Sequence, residues 1–66
     1  MNEGARNEEI VAVVTTDREL VAAGGVPVFY ARDVRERDAI ALVLARTTRS
    51  TAHELPTGVL ILVRRH

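Results

Sequence analysis

Asp33-Val34-Arg35-Glu36-Arg37-Asp38-Ala39-Ile40-Ala41-Leu42-Val43-Leu44-Ala45-Arg46-Thr47-Thr48-Arg49-Ser50 is the longest stretch of this 66-residue chain with one readable period. Asp33 is the kind of residue whose side chain satisfies free amides at a helix start, and Glu36 three positions on completes a capping box. At about 100° per residue, Val34, Ala39, Ile40, Ala41, Val43, Leu44 and Ala45 gather on one broad arc. Arg35, Asp38, Arg46 and Arg49 take the opposite strip, with Leu42 among them. The spacing predicts a helix over 33–50 with its apolar arc turned to a sheet. It also marks Leu42 as a residue that a partner surface covers.

The sheet is expected on either side of this helix. Glu9–Thr15 (EIVAVVT) and Val59–Val63 (VLILV) are apolar on both alternating faces, the pattern of strands covered on both sides. Val26–Ala31 (VPVFYA) reads as another strand, with Pro27 at its start or on an edge because proline cannot donate to a ladder. Between the first two strands, Thr16-Asp17-Arg18-Glu19 matches a capping box and predicts a short helix ending at Gly24. A competing reading makes Glu19–Ala23 a strand and Gly24-Gly25 a hairpin turn. After Thr47–Thr51 releases the long helix, Ala52–Leu55 offers a further short strand, and Pro56-Thr57-Gly58 is turn material. The order is β–α–β–α–(β)–β, a small single α+β domain over residues 8–66 behind a disordered polar tail over residues 1–7. The helices lie on one face of a three- or four-stranded sheet.

Two independent considerations predict that another subunit covers the other face. A chain this short buries only about 60% of its unfolded surface, and domains below about 70–80 residues usually need a disulfide, a metal or self-association. There are no cysteines, and one Phe, one Tyr, one Met and no Trp leave a core of Val, Leu, Ile and Ala. The strands are apolar on both sides, and no residues remain to build a second covering layer. The candidates for that interface are Val11, Val13, Val28, Tyr30, Leu42, Val59, Ile61 and Val63; strand register, which sequence does not set, decides which side each takes. The expected partner is a second copy, a dimer first, or a larger protein.

Formal net charge is zero, and all nine basic residues are arginine. Residues 1–31 carry two arginines against five acids, a net of −3, and residues 32–66 carry seven against four, a net of +3. Halves of opposite sign suit self-docking or an anionic partner. Arg35, Arg46, Arg49, Arg64 and Arg65 are the candidate anion contacts. No apolar run approaches a membrane span, and the polar start lacks a signal-peptide layout, so a cytoplasmic location is expected.

Chemistry is sparse. Ser50, His53 and Glu54 lie close in sequence, but a hydrolytic triad needs an oriented base and an oxyanion hole. Gly24-Gly25 lacks the spacing of a phosphate loop. No cofactor, metal or catalytic residue is expected. The stretch Val13-Val14-Thr15-Thr16-Asp17-Arg18-Glu19-Leu20, followed by Gly25-Val26-Pro27-Val28, resembles a late strand–turn–helix segment of PIN/NYN-type nucleases. That resemblance implies a metal-holding role for Asp17, with Glu19 as a helper. The element order is similar to that of Alba-like nucleic-acid-binding dimers, which implies that the arginines grip nucleic acid. The residues themselves favour a non-enzymatic interaction or regulatory module, or a small subunit of an assembly; an arginine-rich nucleic-acid-binding dimer is the alternative, and a metal-dependent nuclease-like fragment a third reading.

Overall fold

The computed structural model describes residues 7–22 and 24–65, so residues 1–6 of the expected tail, Ala23 and His66 lie outside the described residues. Strands β1 (Glu8–Thr15), β2 (Val28–Tyr30), β3 (Thr51–Glu54) and β4 (Leu60–Arg65) and helix α1 (Val34–Thr48) follow one another in the order β1, β2, α1, β3, β4. They form one four-stranded mixed sheet in the spatial order β2-β1-β4-β3. β1 pairs parallel with β2 and antiparallel with β4, which pairs antiparallel with β3. The two strands with apolar residues on both faces are thus the two central ones, where neither face meets water along its whole length.

The register sorts the side chains. Ala12 opposite Leu62 and Val14 opposite Leu60 point to one face, where they meet Ala31 and Ala41 in the core, with Val11, Ile40, Leu44 and Ala45 packed around them. Leu62 and Val14 are fully buried. Val13 opposite Ile61 and Val28, Ile10 opposite Val63, and Thr15 opposite Tyr30 point to the other face. An irregularity between Ile10 and Ala12 lets Val11 join the helix side, since a bulge puts one extra residue into the strand. Val11, an interface candidate from sequence, is therefore a core neighbour.

α1 starts as the sequence predicts. The Asp33 carboxylate accepts the Glu36 amide at 2.8 Å, and Glu36 reaches back to accept the Arg32 amide at 2.7 Å. It ends at Arg49, whose φ of 56° and ψ of 47° are left-handed. Ser50 N–H donates to the Ala45 carbonyl at 2.9 Å and closes the last turn.

Two expectations change. No second α-helix forms among the described residues. Asp17, not Thr16, caps a single 3-10 turn over Arg18–Leu20, accepting the Glu19 amide at 2.8 Å, and the backbone is extended again at Val21. A capped segment of about two turns has too few hydrogen bonds to offset its nucleation cost without a packing surface, and Leu20 is 46% exposed. The apolar arc of α1 is also rotated from the expected one. Val34, Ala39 and Val43 face solvent, Val43 at 63% exposure, while Arg37 and Ala41 are the buried positions.

Candidate interaction face

Arg37 explains the rotation of α1. Its side chain is only 7% exposed, and its donors fork around the turn between β3 and β4. Nη1 donates to the Gly58 carbonyl at 2.6 Å and to Glu54 Oε2 at 3.3 Å, while Nε and Nη2 both donate to Asp38 Oδ1, at 3.0 and 2.8 Å. Gly58 has a φ of 93°, a value natural to glycine, and this turn presents its carbonyl to the guanidinium. The hydrogen bonds that Arg37 donates to Asp38 raise its pKa; burial opposes this, and the charges of Asp38 and Glu54 reinforce it. A planar five-donor fork can be buried where its partners converge. Arg37 thereby ties helix, edge strand and turn together on the helix side of the sheet.

Among the described residues the other face has no α-helix over it. At one end it is covered by the connection between β1 and β2: Val13 and Thr15 are buried, and the Arg18 guanidinium lies 4.4 Å from the Tyr30 ring centroid. The Thr15 hydroxyl donates to the Asp17 carbonyl and accepts the Asp17 amide, fastening the start of that connection. Val59, just before β4, is buried too at 3% exposure. Val13 and Val59, two of the interface candidates from sequence, are thus buried within the chain itself. Towards the other end the face opens. Ile10 is 45% exposed, Ile61 and Val63 are half-buried, and Thr51 and His53 of β3 stand beside them by register. Glu8 and Arg65, paired at 2.7 Å, border this apolar patch. Val28 and Tyr30 lie on the same face along the β2 edge.

The remaining residues singled out from sequence do not converge. Arg64 pairs with Glu9 at 3.3 Å and Arg65 with Glu8, so both are partly neutralised. Arg35, Arg46 and Arg49 are strung along the exposed side of α1 with Leu42 and Val43 between them. Phosphate binding gains from each cation neutralised by the nucleic acid, and this row leaves few to offer. Ser50 Oγ lies 2.6 Å from Thr48 Oγ1; alternation along β3 sends His53 to the open face and Glu54 to Arg37. Among the described residues no three His, Asp or Glu side chains gather to hold a metal. Asp17, the ligand implied by the nuclease resemblance, caps a single 3-10 turn, and among the described residues no α-helix lies between β1 and β2 to match that family's segment or the Alba-like order.

Residues 7–65 match the family model described as the capping complex subunit for YIEGIA. The chain belongs to that family. No curated protein and no solved structure matches it. As a member of the capping-complex subunit family it is a small subunit of a protein assembly, the broad reading its composition favours. None of its helices among the described residues is long and apolar enough to cross a membrane. Of the residues that matter to the architecture of this subunit, sequence reading missed Arg37, because a charged residue at a buried position looks like part of the polar strip until its partners, up to 21 residues away, are known.

Proposed function

We propose that this chain is a non-catalytic subunit of a capping complex, and that it covers a YIEGIA protein with the open end of its sheet, through Ile10, Ile61 and Val63. Family membership supports the assembly role. The observation that carries the choice of surface is the apolar patch itself, at Ile10 on a central strand, over which no layer lies among the described residues. Contiguous exposed apolar surface rimmed by charge is a common mark of a protein–protein contact. The exposed apolar residues of α1, Val34, Leu42 and Val43, are interleaved with arginines instead.

Co-purification on a tagged YIEGIA protein tests this. Ile10→Arg, which places a charge in the middle of the patch at an already exposed position, is expected to weaken binding by roughly thirtyfold or more, the size of a central interface loss. Retention of full binding by a folded Ile10→Arg variant would move the contact elsewhere on the molecule.

A further inference from the structure

We infer that a second copy of this chain pairs with the outer edge of β3 about a two-fold axis near His53, joining two sheets into one. Three observations lead there. All four residues of β3, Thr51–Glu54, are exposed, and the strand has no proline, lysine or bulge to discourage an incoming strand. The opposite edge is different: β2 has three residues, pairs with only the end of β1, and is preceded by Pro27. The single charge of β3, Glu54, is drawn to the helix side by Arg37 and does not guard the edge.

The ladder says which groups face outward. Leu55 N–H donates to the Val59 carbonyl at 2.8 Å, so the alternation of an antiparallel pair directs His53 and Thr51 towards β4. The backbone N–H and C=O of Ala52 and Glu54 then point away from the sheet. An antiparallel copy centred on His53 sets Ala52 opposite the partner's Glu54, and Glu54 opposite the partner's Ala52. Both outward-facing pairs are satisfied in that register and in no other centred on this strand.

The side of α1 beside β3 fits the same symmetry. Asp38, Leu42 and Ala45 follow one another at spacings of four and three, which keeps them on one stripe of α1. Leu42 and Ala45 line a groove with Ala52 and Glu54 of β3, which puts the stripe on the edge side. Reversed on itself about a point between Leu42 and Ala45, the stripe sets Leu42 against the partner's Ala45, a large apolar side chain against a small one. A dimer also supplies the extra burial that a 7.3 kDa, cysteine-free chain needs.

The test is mass in solution by light scattering over a micromolar to sub-millimolar series, with circular dichroism on the same samples. The wild-type chain is expected at twice 7.3 kDa. Ala52→Pro removes an outward amide without touching a bond inside the chain and is expected to leave a folded monomer. Leu42→Arg, at a position 53% exposed on the stripe, is expected to raise the dissociation constant by roughly tenfold through like charges brought together near the axis. Ile10→Arg is expected to remain dimeric, which separates this interface from the open sheet face. A wild-type monomer throughout the series overturns the inference. So does a folded Ala52→Pro dimer, or an Ile10→Arg variant that falls to monomer. If Ala52→Pro does not fold, an unchanged Leu42→Arg dissociation constant is the overturning result.

Discussion

Leu62→Ala is expected to cost about 3–5 kcal/mol and to leave this chain largely unfolded at room temperature. Leu62 is fully buried, sits on a central strand, and faces Ala12 across the ladder under α1. Its neighbours in the core are mostly small, Ala12, Ala31 and Ala41 among them, so they cannot swing in to fill the space. A chain of this length has a total stability of roughly 3–10 kcal/mol, so the loss is a large share of the whole. Thermal unfolding followed by circular dichroism should show the midpoint falling by about 12 °C or more, or no cooperative transition at all. Val43→Ala is the matched comparison. It removes two methyl groups from a residue that is 63% exposed and is expected to change stability by no more than about 0.5 kcal/mol. Equal losses in the two variants would mean that α1 is rotated from the orientation described.

Arg37→Met has the second largest expected effect, a loss of roughly 2–3 kcal/mol in urea unfolding. Methionine replaces the aliphatic stem, so the cost comes from the polar end. The Gly58 carbonyl loses a 2.6 Å charged donor, and the turn that presents it loses its tie to α1. The carboxylates of Asp38 and Glu54 contribute less, because both are more than half exposed and water re-solvates them. Arg37→Lys keeps the charge but cannot reach Asp38, Glu54 and Gly58 together, so it should recover less than half of the loss. A change below about 0.5 kcal/mol in Arg37→Met would show that the fork adds nothing to the fold.

These two residues also mark how far the sequence carries. Leu62 is legible: VLILV has the pattern of a strand with apolar residues on both faces, and it forms most of a central one. The helix over 33–50 is legible from Asp33 and Glu36 at its start, and both caps form as their chemistry requires. The rotation of that helix is not legible. Apolar residues surround it so broadly that any of several arcs could face the sheet, and the one chosen is settled by Arg37 reaching Gly58 and Glu54. No local pattern encodes partners that lie 17 and 21 positions away. The Thr16–Glu19 capping box is a local signal without a packing surface behind it, and it yields one 3-10 turn. The same limit applies to the face of the sheet away from α1. Alternation sets Ile10 apart from Val13 and places Val11 with Val13, yet the irregularity between Ile10 and Ala12 puts Ile10 on the face of Val13 and Val11 on the helix side, and no local pattern announces that shift.

The most direct test of the proposed role is methyl NMR of the chain labelled at isoleucine and valine, titrated with a YIEGIA protein. The expected result is perturbation centred on Ile10, Ile61 and Val63, with Val34 and Val43 on the outer side of α1 unchanged. Perturbation confined to Val34 and Val43, with the open sheet face unmoved, would contradict the placement of the contact on the sheet.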